Sequence, residues 1–68
     1  MKVSYDKLWK LLIDKKMKKT DLIQQAKISS NVLAKMGKEE SVSLESIGKI
    51  CLLFGCGVDD ILEFDISE

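Results

Sequence analysis

The polar groups best suited to molecular recognition lie on a short segment near the middle of the chain. Asn31 and Lys35 are four residues apart, so on an α-helix they share one face. Leu33 and Met36 fall on the opposite side at about 100° per residue. The spacing therefore predicts a helix with an apolar back and a polar front that can donate hydrogen bonds.

Two cysteines, Cys51 and Cys56, are the other groups with distinctive chemistry. The chain has no His and no third Cys, so the two thiols do not complete a typical four-ligand metal site. We expect Cys51 to be a small core residue and Cys56 to lie in a glycine-flanked turn, with redox sensing as the alternative. Because no nucleophile has a plausible partner base, the sequence predicts neither an enzyme nor a cofactor.

Charge is strongly segregated along this chain of 68 residues. Residues 1–38 carry ten lysines and three aspartates, a net charge of +7, whereas residues 39–68 carry one lysine and eight acidic residues, a net charge of −7. Such a chain can present a positive face to a polyanion, although the same charges can simply solvate helix surfaces.

The length predicts one domain, residues 1–68. The apolar stretch 50–58 is far shorter than the roughly 18–20 residues that span a bilayer, and the first residues lack the apolar run of a secretory signal. We therefore expect a cytoplasmic protein with no membrane partner, and no small-molecule ligand is evident.

Periodicity and capping residues predict an all-α fold, a compact bundle of about five short helices without strands. Ser4, Ser29 and Ser43 are the expected N-caps, and Gly37 and Gly55 the expected left-handed ends. The expected helices cover residues 4–16, 19–26, 30–36, 44–54 and 58–63. On the fourth helix, Gly48 suggests close packing and five residues share the inward arc: Leu44, Ile47, Ile50, Cys51 and Phe54.

The pattern of residues 19–36 predicts two short helices joined by a tight turn. Small or apolar residues occupy the positions where the helices must cross: Leu22, Ala26, Ile28, Leu33 and Met36. This segment resembles the helix-turn-helix of Cro/C1-type (XRE, lambda-repressor-like) DNA-binding domains. The downstream residues 43–51, followed by Phe54-Gly55-Cys56 and Asp60-Ile61-Leu62-Glu63, resemble a compact bacterial single-domain branch of that family. The turn position that this family usually fills with Gly is Lys27, where a left-handed backbone would carry about 1–2 kcal/mol of strain.

The resemblance implies that the helix at 30–36 enters the major groove of double-stranded DNA, with Ser30, Asn31 and Lys35 facing base edges and Val32 or Ala34 near a thymine methyl group. It implies that DNA phosphates are contacted by four further residues, Lys18, Lys19, Thr20 and Lys38. No metal ligand is implied.

The implied function is a small, sequence-specific transcription regulator, with repression the expected role. Reading two half-sites about 34 Å apart requires two copies, so we expect a homodimer. Leu52 and Leu53, which project away from the inward arc, are the expected interface. The alternative is a protein-interaction module, antitoxin-like or an adaptor, that keeps the fold without specific DNA binding. The absence of arginine favours this alternative, because Lys lacks the bidentate fork that suits guanine.

Overall fold

Four α-helices make up most of the computed structural model, which describes residues 2–66. The elements in chain order are β1 Lys2–Ser4, α1 Asp6–Asp14, α2 Asp21–Gln25, α3 Ser30–Gly37, α4 Leu44–Phe54, a 3-10 helix Val58–Asp60 and β2 Glu63–Asp65. The predicted all-α class is confirmed, with four α-helices and one 3-10 turn in place of five helices. None of the helices between residues 2 and 66 has the length and apolarity that crossing a membrane requires.

A two-stranded antiparallel sheet joins the two ends of the described chain. Lys2 pairs with Asp65, Val3 with Phe64 and Ser4 with Glu63. The prediction that strands are absent was wrong, because strands of three residues are too short to show an alternating pattern. The same pairing ends the last helix early: only the first turn of the predicted helix 58–63 forms, and Glu63 belongs to β2.

Serine side chains define where α3 and α4 begin. The hydroxyl of Ser29 accepts the N–H of Val32 at 3.1 Å, and the hydroxyl of Ser43 accepts the N–H of Ser46 at 3.2 Å. Both predicted N-caps are confirmed. Ser4 instead lies in β1, where its hydroxyl accepts the Asp6 N–H at 3.3 Å, and α1 begins two residues later than predicted.

Left-handed residues terminate the helices and turns, and most of them are not glycine. Lys16, Lys27 and Glu39 have φ of 57°, 60° and 58°, and Gly55 has φ of 64°. The prediction for Gly55 is confirmed, and Lys27 adopts the strained left-handed conformation. The prediction for Gly37 was wrong: Gly37 is the last residue of α3, and the reversal occurs two residues later at Glu39.

The core draws side chains from all four helices and from both chain ends. The buried apolar residues are Val3, Tyr5, Leu8, Leu12, Leu22, Ala26, Ile28, Met36, Ile47, Ile50 and Ile61. The predicted crossing residues of the 19–36 segment are all buried except Leu33, which is half-buried against this core. Leu44, predicted to face inward, is 80% exposed because it starts α4 at the edge of the bundle.

The expectation of close packing at Gly48 was also wrong. A Cβ atom at Gly48 would meet no heavy atom within 4 Å beyond its own helix and neighbours, and the same holds at Gly55. The two glycines differ in backbone conformation, because Gly48 is helical whereas Gly55 is left-handed. Only Gly55 therefore has a conformational need for glycine.

We expect Gly48→Ala to raise the free energy of unfolding by about 0.5–1 kcal/mol, because alanine is the better helix former and the space is open. Gly55→Ala is the matched control and should lower it by about 1 kcal/mol, since the left-handed conformation disfavours a Cβ. Urea unfolding followed by circular dichroism measures both values. Destabilisation by Gly48→Ala would show that the helix is tightly covered at this position.

Candidate nucleic-acid interface

One face of α3 is polar and fully open to solvent. Ser30, Asn31, Ala34 and Lys35 are all exposed and span an arc of about 140° on the helix. Among the described residues, the side chains of Ser30 and Asn31 have no hydrogen-bond partner within the protein. Their donors and acceptors are therefore free to meet an external ligand.

The opposite face of α3 attaches the helix to the core. Met36 is fully buried, and Val32 and Leu33 are half-buried against the same cluster. The Ser29 cap fixes where the first turn begins, so the cap and the buried Met36 together determine which side chains face outward. Val32 and Ala34 are the two candidates for contact with a thymine methyl group. Val32 lies on the inward side, so Ala34 is the one that faces solvent.

The connection between α2 and α3 is held from both sides. Leu22, Ala26 and Ile28 are buried, and Lys27 between the last two is exposed with a left-handed backbone. Burial of Ala26 and Ile28 forces the intervening residue to reverse the chain. This reversal lets α2 and α3 pack against each other over only three connecting residues after Ala26.

The turn before α2 carries Lys18, Lys19 and Thr20, which are all exposed. Asp21 shapes this turn, because its Oδ2 accepts the Lys18 N–H at 2.9 Å and its own N–H donates to the Lys18 carbonyl at 3.0 Å. Thr20 occupies the N-cap position of α2, but its side chain makes no capping hydrogen bond. Its hydroxyl is therefore available to another partner.

Trp9 positions one of these lysines. The ammonium of Lys19 lies 4.3 Å from the centroid of the Trp9 ring, well within the range of a cation–π contact. Trp9 in turn lies next to Tyr5, with ring centroids 6.3 Å apart. The lysine is thus oriented by α1 while it remains exposed.

Tyr5 ties the segment after α3 to the core. Its hydroxyl donates to the Glu40 carbonyl at 2.7 Å. Burial raises the pKa of Tyr5, and the backbone of Val42 lowers it by less. The hydrogen bond between Tyr5 and Glu40 holds the chain at the point where it leaves α3, next to the left-handed Glu39.

The lysines around α3 are free of acidic partners. Between residues 2 and 66 one salt bridge forms, Lys49 with Glu45 at 3.9 Å, and it lies on α4. Positive charge at α3, in the two turns before it and just after its end comes from five exposed lysines, Lys18, Lys19, Lys27, Lys35 and Lys38. Three acidic residues, Asp6, Glu63 and Asp65, line a separate groove beside the two-stranded sheet.

The predicted interface leucines differ in exposure. Leu52 is 85% exposed, whereas Leu53 is half-buried and packs against the core. Leu44, on the same helix, is a second exposed apolar residue, although its spacing predicted an inward position.

A model of the Cro/C1-type helix-turn-helix DNA-binding domain matches residues 7–66. The chain belongs to this family. Its fold is also similar to the crystal structure of the transcriptional regulator VanUg: the two are 48% identical, with a TM-score of 0.87 over 91% of this chain and 83% of that one. No curated protein matches significantly.

In family terms, α2 and α3 form the helix-turn-helix unit. The residues predicted to contact base edges and phosphates are all exposed on it, in the turn before it or at its end, whereas Val32 is half-buried. Sequence reasoning missed Lys27 as a further exposed cation and Trp9 and Tyr5 as positioning residues. Lys27 was identifiable as a charge at the tip of the turn. The partners of Tyr5 and Trp9 lie 35 and 10 residues along the chain, so no local pattern reveals them.

We expect Tyr5→Phe to lower the free energy of unfolding by about 1–2 kcal/mol, because it leaves the Glu40 carbonyl without its donor. The raised pKa of Tyr5 adds a pH signature. Its stabilising contribution is present below the ordinary tyrosine pKa of 10.0 and is lost as pH rises through the higher value in the folded protein.

Denaturant unfolding of both proteins at neutral pH and above pH 10.0 measures the two effects. Titration of the lysines in this pH range affects both proteins alike, because both contain the same lysines, so it cancels in the comparison. Equal stability and equal pH dependence of the two proteins would contradict this role for the hydroxyl.

Proposed function

We propose that this protein is a sequence-specific regulator of transcription that reads double-stranded DNA with α3 in the major groove. The observation that carries the proposal is the outward arc of α3, in which Ser30, Asn31 and Lys35 are exposed and Met36 is buried on the opposite side. Membership of a DNA-binding domain family and similarity to a transcriptional regulator support it.

The dimensions of α3 suit the groove. A helix with its side chains is about 10–12 Å across, and the major groove of B-DNA is about 12 Å wide. Because α3 is about 12 Å long and its polar arc covers residues 30–35, the helix can meet several successive base pairs without exposing its apolar side.

Each exposed side chain of the arc has a base edge that it can recognise. The amide of Asn31 both donates and accepts, which matches the N6 and N7 edge of adenine. The Lys35 ammonium donates to guanine acceptors, the Ser30 hydroxyl bonds to either kind of group, and the Ala34 methyl contacts a thymine methyl group.

Four further residues would fix the position of the protein on the sugar-phosphate backbone. Lys18, Lys19 and Thr20 precede α2, and Lys38 follows α3, so phosphates on both sides of the groove would be engaged. The Trp9 contact limits the freedom of Lys19 and lowers the entropy lost when it binds a phosphate. Occupancy of a promoter by such a domain is sufficient to repress transcription.

We propose that the protein acts as a homodimer. Its longest dimension is 35 Å and it presents one reading helix, whereas the two half-sites of a palindrome are about 34 Å apart, so a second copy must supply the second helix. Leu52 and the exposed part of Leu53 on α4 form the proposed contact, next to the exposed Leu44.

Selection of bound sequences from random duplex DNA tests the reading function. We expect the wild type to enrich a motif, and Asn31→Ala and Lys35→Ala each to lose about 10- to 100-fold in affinity for it, with relaxed preference at one position. Lys38→Ala should weaken binding to all DNA sequences alike and reduce the slope of log affinity against log salt concentration by about one unit.

Lys49→Ala is the matched control, because it removes an exposed lysine that is paired with Glu45 on α4. It should leave the enriched motif unchanged. Absence of any enriched motif with the folded wild type would refute specific reading and favour the protein-interaction module.

Sedimentation analysis, with and without a palindromic duplex, tests the dimer. Leu52→Lys should shift the protein toward monomer, because it places a charge in the proposed apolar contact. Ile13→Lys is the control, since Ile13 on α1 is comparably exposed at 73% but lies outside the contact. A wild type that remains monomeric both free and on DNA would contradict the proposal.

A further inference from the structure

The end of α4 brings the two cysteines of the chain together. Gly55 reverses the backbone, and the N–H of Cys56 then donates to the carbonyl of Cys51 at 3.1 Å. The two thiols are close enough that Cys51 helps to raise the pKa of Cys56. In this type of helix end the two positions commonly make an apolar contact, and here both positions hold cysteine.

Both thiols are free and partly accessible. Each cysteine is half-buried, neither is in a disulfide, and Cys56 lines a surface cavity of about 470 Å³ between α1 and the end of α4. Lys7, which also lines the cavity, donates from Nζ to the Asp59 carbonyl at 3.1 Å. Because Cys56 is half-buried and lines this surface cavity, a reagent in solvent can approach it.

We propose that Cys51 and Cys56 form a reversible intramolecular disulfide when they meet low-molecular-weight disulfides such as glutathione disulfide. A disulfide requires α-carbons about 4.4–6.8 Å apart, and the hydrogen bond from the Cys56 N–H to the Cys51 carbonyl, together with the left-handed Gly55, draws the two residues toward each other. The remaining change is rotation of the two side chains.

The reaction proceeds by two thiol–disulfide exchanges. The Cys56 thiolate attacks one sulfur of glutathione disulfide, which breaks that S–S bond, forms a mixed disulfide at Cys56 and releases one glutathione thiolate. The Cys51 thiolate then attacks the Cys56 sulfur, forms the Cys51–Cys56 bond and releases the second glutathione. Two electrons pass from the protein to the reagent, and the two thiol protons leave to solvent or to the released thiolates.

The surroundings of Cys56 slow the first step. Burial raises the pKa of Cys56, and Cys51, Asp60 and Asp59 act in the same direction. The lysines of α1 that line the cavity, Lys7, Lys10 and Lys15, are accompanied by Asp14. Because the thiol is mostly protonated near neutral pH, the exchange is slow, and the experiment measures the amount of disulfide at equilibrium instead of the rate at which it forms.

The wild-type protein is equilibrated under anaerobic conditions in glutathione buffers of stepped ratio, quenched with an alkylating reagent and measured by mass spectrometry. The same titration is carried out in concentrated urea. Because the native backbone already holds the two thiols together, we expect the intramolecular disulfide to be favoured on the order of tenfold or more in the native protein over the urea-unfolded one. Peptide mapping should place the bond between Cys51 and Cys56.

Cys51→Ser and Cys56→Ser are the paired controls, with folding checked by circular dichroism. Each should accumulate a mixed disulfide with glutathione, since no second thiol can displace it. The proposal would be overturned if the native wild-type protein formed the Cys51–Cys56 disulfide no more readily than the urea-unfolded protein does. Stable mixed disulfides or disulfide-linked dimers of the folded wild-type protein would also overturn it.

Discussion

Burial of Met36 determines how α3 is rotated about its own axis. The side chain is fully enclosed, and the helix has only eight residues, so a single well-anchored position fixes the orientation of all the others. Rotation by one residue would expose Met36 and bury either Gly37 or Lys35, which costs both apolar burial and charge desolvation. The polar arc is thus a direct consequence of where one methionine is buried.

The chain reversals are the second constraint, and each left-handed residue depends on the contacts of its successor in the chain. Lys27 precedes the buried Ile28, and Glu39 precedes Glu40, whose carbonyl accepts the Tyr5 hydroxyl. Lys16 precedes Met17, which packs against the core. Each of these three residues tolerates the strain of a left-handed backbone because its successor is held in place. Among residues 2–66, glycine therefore occupies only one of the four left-handed positions.

Part of the charge separation along the sequence is kept in space. The lysines of the helix-turn-helix and its flanking turns lack acidic partners among the described residues, while Asp6, Glu63 and Asp65 gather around the two-stranded sheet. A protein of zero net charge can therefore carry a positive surface for a polyanion and a negative surface that is repelled by it. The two-stranded sheet contributes to this arrangement, because it brings Asp6 of α1 close to the acidic C-terminal strand.

The sequence by itself determined the four α-helices, two of the serine caps, the reversal at Gly55 and the outward residues of α3. These features are local: apolar spacing, a capping hydroxyl and a left-handed glycine act within one or two helical turns. The tertiary structure alone decided the pairing of β1 with β2, the reversal at Glu39 instead of Gly37, the exposure of Leu44 and the open space at Gly48. Each of these depends on contacts between residues far apart in the chain, such as Val3 with Phe64 or Tyr5 with Glu40, and a local pattern carries no information about which distant group will arrive.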